Sequence, residues 1–193
     1  ETPEAAEHDS DQVERSGERS LFTVAMIFGV LLDRGAEILA RRGAFQRSIQ
    51  LDESQATALT GLAMLEVEEE NYDRAIELYD RASRADPKQA GPAIAALRLL
   101  RKHAPLEEQE ARGREFLLRH LHSAILASEL AQIVATRGKD PAGALGFARR
   151  SARFDRGAHA ISIRAFEAVA EMASESASAE ARSALEELRA EKS

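Results

Sequence analysis

The chain has 193 residues, 44% of them hydrophobic and 31% charged, with a formal net charge of −7. That size can bury a sizeable core and that balance excludes a disordered protein, while the absence of cysteine excludes disulfides, thiol nucleophiles and thiolate zinc sites. A pI near 5.4, with no basic stripe interleaved with aromatics, argues against nucleic acid as a partner. Five prolines and 11 glycines are too few for many strands joined by tight turns, and aromatics at 5% leave Ala, Leu and Ile to do the packing. An all-α protein is expected.

In chain order, residues 1–19 hold seven acids against Arg15 and Arg19, a net of −5, with no hydrophobic periodicity. This reads as a mobile acidic tail preceding one helical domain over residues 20–193. Glu1 in place of Met reads as the start of a processed chain, with the compartment open between cytoplasm and periplasm after loss of a leader. Leu21–Leu32 is apolar throughout but stops at Asp33-Arg34. A membrane span needs about twenty such residues, so a buried helix and no direct span are expected.

Capping signals divide the rest. Asp52 is placed to cap a helix through Leu59, Leu62 and Val67, and Asn71 the next one, through Ala85. Pro92 falls in the first turn of a helix through Ile94, Leu97 and Leu100. Pro105 suits a first helical position, with Glu107 and Glu108 favourable near that N-terminus. Asp140-Pro141 repeats the start signal before Ala144, Phe147, Ala148 and Ser151. A last pair is expected from about Ala158 to Ala173 and from about Ser178 to Glu191, with the turn at Ser174–Ser178. The total is ten helices in five antiparallel pairs.

The most specific stretch is Asn71–Pro87, with small residues at Ala75 and Ala82, Tyr79 between them, and Asp-Pro at its end. Leu59, Leu62 and Ala63 supply the matching small-next-to-large pattern on the preceding helix. Over 56–89 the chain resembles a tetratricopeptide repeat, and more weakly over 22–55 and 90–191. The resemblance implies an α-solenoid of stacked helix pairs in a right-handed superhelix. Glu53 and Pro87 stand 34 residues apart, this family's repeat length. The same step sets Gly29 against Ala63, Phe45 against Tyr79 and Ser48 against Ala82, while Arg41 departs from Ala75. In the third unit, strict spacing puts Gln109, Gly113 and Phe116 at the packing positions, and a slide of two residues puts Ala111, Glu115 and Leu118 there. Both registers stay open. The fourth unit recovers with Leu130-Ala131, Gly138 at the turn, and Ala144-Phe147-Ala148.

No phosphate loop, Ser-His-Asp set or Cys-based motif is present, so no enzymatic activity, cofactor or metal is expected. His120-Leu121-His122 places two histidines that diverge on a helix and reads as two surface residues at a helix end. Glu68-Glu69-Glu70 diverges likewise and reads as a solvated acidic ridge.

The resemblance implies an inner groove lined by the first helix of each pair and able to hold a peptide. Its positions fall on Thr57, Thr60, Met64, Val67 and Glu68, then on Gly91, Ile94, Arg98, Arg101 and Lys102, then on Ser128 and Gln132. Arg98, Arg101 and Lys102 share one helix face and would favour an acidic peptide or a free C-terminus. The chaperone-tail clamp is not expected, because Asn occurs only at position 71, in a turn. The expected function is a protein-interaction scaffold, adaptor or assembly factor, with the acidic tail a candidate occupant of the groove. The alternative is a structural subunit of a larger assembly, membrane-associated ones included, packed through its apolar N-terminal helix and repeat edges.

Overall fold

In the computed structural model, residues 35–155 and 159–190 are described. Among them are nine helices and no strand. These are α1 (35–51), α2 (Ala56–Glu68), α3 (Tyr72–Ala85), α4 (Gly91–His103), α5 (Leu106–Arg119), α6 (Ala124–Arg137), α7 (Pro141–Phe154), α8 (Ala160–Ala170) and α9 (Glu175–Ala190). The acidic tail, the apolar stretch Leu21–Leu32, Gly29 and the alternative built on that stretch lie outside the described residues. The stack belongs to the compact unit Phe45–Ser193. Each helix from α2 onward packs on its successor, and the first helices of successive pairs also touch, α4 on α6 and α6 on α8. That pattern is an all-α solenoid.

Its sequence logic is clearest in α3. Ala75, Ile76, Leu78, Tyr79 and Ala82 are buried, while Arg74, Glu77, Arg81 and Arg84 are exposed, so one stripe faces the stack. Ala63, Ala75 and Ala82 are wholly inaccessible, as small residues at close helix approaches must be. Phe45 does for α1 what Tyr79 does for α3. It packs so tightly on Gly61 that a Cβ there would collide with the ring.

The third unit keeps the strict register. Gln109, Gly113 and Phe116 are buried, whereas Ala111 and Glu115 are exposed and Leu118 is 72% exposed. The unit departs from the family pattern without slipping. Gly113 brings α5 so near its neighbours that a Cβ would come 3.1 Å from Leu130 Cδ1 and 3.3 Å from Leu97 Cδ1. Gln109 instead donates its amide to the Ala104 carbonyl at 2.7 Å.

Several helix ends differ from expectation. Asp52 accepts from the Ser54 backbone N–H at 2.9 Å, forming a local turn, and α2 starts only after Gln55. Asn71 holds the N-cap position of α3 but makes no cap bond, because its amide reaches back to Glu66 Oε2 at 3.0 Å. Pro105 stands one residue ahead of α5, at its N-cap. Asp140 does cap α7, accepting from the Gly143 N–H at 2.8 Å, and Gly138 ends α6 with φ +71°. The last turn falls earlier than Ser174–Ser178. Ser178 lies within α9, and its hydroxyl donates to the Met172 carbonyl at 2.7 Å, which buries it.

The acidic run closes α2 in a Schellman motif. Glu70 donates to Val67 O at 3.1 Å and Asn71 to Glu66 O at 2.8 Å, with Glu70 in the left-handed region at φ 62°. A side chain there is strained, and its charge opposes the helix dipole. Glu70→Gly is therefore expected to raise stability by about 0.5–1 kcal/mol, seen as a higher midpoint in thermal unfolding.

Candidate functional site

The expected groove positions lie on α2, α4 and α6, the first helices of their pairs. Thr57, Thr60 and Met64 from α2 meet Gly91 and Ala95 from α4 around a cleft of about 460 Å³, with Phe45 on its wall. Thr60, which lines the cleft, gives its hydroxyl proton to the Ala56 carbonyl at 2.8 Å within its own helix. Met64 is 49% exposed on a helix whose other large apolar residues are mostly buried.

Ile94 lines a different cleft, formed by the turns at one end of the stack. Residues 94 and 95 differ by about 100° around the helix, so they face different neighbours. Val67 is half-buried against the core and Glu68 is exposed. Ser128 is buried and donates to the Ile161 carbonyl at 2.8 Å. Gln132 turns its amide onto Ser128, 3.3 Å from both the carbonyl and the hydroxyl.

The cation cluster is already partnered in part. Glu129 of α6 receives Arg98 at 3.6 Å and forms an ion pair with Arg101. The two arginines thus tie α4 to α6, and Glu129 was not singled out in the sequence. Lys102 is exposed and makes no ion pair among the described residues. Three cations and one carboxylate leave the patch positive.

The second helices carry their own charged junctions. Asp80, 6% exposed, is held by Arg84 at 2.7 Å, Arg112 at 3.0 Å and Arg119 at 2.8 Å. Burial pushes its pKa up, but Arg119, Arg112 and Arg84 outweigh that and hold it below the usual carboxylate value. Glu110 shows the same balance, with burial opposed by Arg137 at 2.6 Å and Arg114 at 2.9 Å.

His120 corrects the expectation of two surface histidines. It is buried, with Nε2 2.8 Å from Ser83 Oγ. Burial lowers its pKa, and the nearby Arg119 adds to that against the opposing pull of the Pro87 carbonyl and Asp86. His122 remains exposed. No group of three or more His, Cys, Asp or Glu that could hold a metal occurs among the described residues. None of their helices is long and apolar enough to cross a membrane.

Paired helices, close small-residue contacts and successive stacking of the pairs define the tetratricopeptide-repeat fold. Solved structures with this fold include YrrB, described as a TPR protein with an unusual peptide-binding site. It shows 18% identity, covers 82% of this chain and 81% of its own, and gives a TM-score of 0.56. MamA shows 13% identity, with 78% and 85% covered and a TM-score of 0.57. No protein-family model matches the chain, and neither does any curated relative. At these identities the likeness is one of fold.

Proposed function

We propose that this protein is a non-enzymatic interaction scaffold or assembly factor that holds a peptide segment along the face of α2, α4 and α6. The observation that carries the reading is Met64, an adaptable apolar side chain left half-exposed on the floor of a cleft bordered by Thr57, Thr60, Gly91 and Ala95. The peptide-binding site described for YrrB, on the same fold, supports the reading by analogy. Arg98, Arg101 and Lys102, in the C-terminal half of α4, favour acidic segments, with Glu129 moderating the first two.

Fluorescence polarisation with a labelled peptide of alternating Leu and Glu tests this. Met64→Glu is expected to weaken binding about tenfold or more, the equivalent of about 1.4 kcal/mol. Lys102→Glu is expected to weaken it several-fold. Lys102 separates charge recognition from folding, whereas reversing Arg98 or Arg101 also breaks the tie to Glu129. Unchanged affinity in both Met64→Glu and Lys102→Glu would remove this face from consideration.

A further inference from the structure

The turns α3–α4 and α5–α6 meet the last residue of α7, Asp155 and the start of α8 around a cleft of about 620 Å³. Ile94, Ile125 and Ile161 form its floor, one from the first turn of each of α4, α6 and α8, and Leu121 and Phe154 form its wall. Leu121 is 45% exposed and, beside Phe154 and the three isoleucines, belongs to a contiguous apolar lining rather than standing singly. The wall is built rather than loose. Arg150 donates to the Leu121 carbonyl at 2.7 and 3.2 Å, and the His122 ring stands edge-on to Phe154 at 5.0 Å.

The charged groups around this floor tilt positive, because Asp155 is the one carboxylate lining it beside Lys88 and Arg119, and Arg119 is one of three arginines that share Asp80. Asp155 accepts from the Ser162 N–H and hydroxyl at 3.2 and 3.1 Å, and Arg119 is engaged with Asp80. Lys88 is exposed and makes no ion pair among the described residues, and His122 adds an imidazole donor beside it. The arginines of α4, in contrast, already share Glu129. Apolar floor, preformed wall and an unanswered cation are the complement of one kind of ligand.

We propose that this cleft is a second docking site, distinct from the face of Met64, which takes a bulky apolar side chain from a peptide whose neighbouring residues are acidic. The apolar side chain seats on the three isoleucines against Leu121 and Phe154, and a flanking carboxylate meets Lys88. Ile94 is the one groove position of the sequence that falls here, and no residue of this floor or rim lies in the Met64 cleft, so the two sites are tested separately.

The test uses the full chain and a labelled, acetylated and amidated peptide Glu-Glu-Leu-Phe-Glu-Glu, with the Lys-flanked peptide as control. Leu121→Glu is expected to weaken binding about tenfold or more, and Lys88→Glu several-fold. Met64→Glu should leave binding within about twofold of the parent, and the Lys-flanked peptide should bind more weakly. Leu121 and Lys88 are both exposed, so the fold is kept, as circular dichroism would verify. Affinity that ignores Leu121→Glu and Lys88→Glu, or that is lost with Met64→Glu, overturns the proposal. So does a Leu121→Glu change in the sedimentation coefficient of the protein alone, which would show that a second copy covers the cleft. Failure of the groove reading looks different, since it is read from Met64 and Lys102.

Discussion

Replacing Asp80 by Ala is expected to destabilise the fold by about 3 kcal/mol, measured by urea unfolding near neutral pH. The carboxylate is buried, and three guanidinium groups converge on it from α3 and α5. Its removal leaves Arg119 without an anion and Arg112 with only Glu115 at 3.4 Å, although each arginine is about three-quarters buried. Arg84 is mostly exposed and water replaces its partner, which keeps the loss at the lower end of the range for a broken buried pair.

The pH dependence has a definite sign. The surrounding arginines hold Asp80 below the ordinary carboxylate value in the folded state, so the unfolded chain takes up its proton first as pH falls. The stability that Asp80 contributes is full above its unfolded value and is lost as pH drops through the depressed folded one. Asp80→Asn, which cannot titrate, should therefore show a shallower loss of stability in acid than the parent. An equally steep acid limb would assign that limb to other groups, with Glu110 the first to try.

Phe116→Ala is expected to cost about 3–5 kcal/mol, through a lower unfolding midpoint and an unchanged denaturant slope. The ring is wholly buried in the stack, so truncation removes its transfer energy and leaves a cavity. It also sits under two cations, with Arg112 5.5 Å and Arg119 5.1 Å from its centroid. These are the arginines that hold Asp80. The ring and the carboxylate position the same guanidiniums, so the double variant should lose less than the sum of the two single losses. Strict additivity would mean that the ring contributes by packing alone.

The fold was readable wherever one residue type answers to one packing demand. Ala75, Tyr79 and Ala82 set the 34-residue frame, and that frame carries across Phe45 in α1 and Gly113 with Phe116 in α5. It blurred at the third unit because a glycine and a glutamine fill places the family gives to other residues. The near approach of Leu97 and Leu130 shows why the glycine belongs there, and the Ala104 carbonyl why the glutamine does. Ser178 misled in the opposite direction, because a buried serine that bonds a carbonyl of the preceding turn has the same sequence signature as a turn residue.

For the candidate site, the frame brings Thr57, Thr60, Met64 and Gly91 to one cleft. Helical position alone does not disclose the partner across a helix boundary. Glu129 meets Arg98 and Arg101 only because α4 and α6 lie side by side. His120 was hidden for the same reason, since Ser83 stands 37 residues away from it.

Helix α6 reaches three neighbours through its side chains. Glu129 joins it to α4, Arg137 to α5, and Ser128 to α8. In a linear stack each added neighbour raises the cooperativity of local opening. The array should therefore fray from its outer pairs inward, and the amides of α6 should be the last to exchange with solvent. A partner bound along its exposed side would meet the least yielding part of the molecule, so recognition there would require the ligand, rather than the scaffold, to change shape.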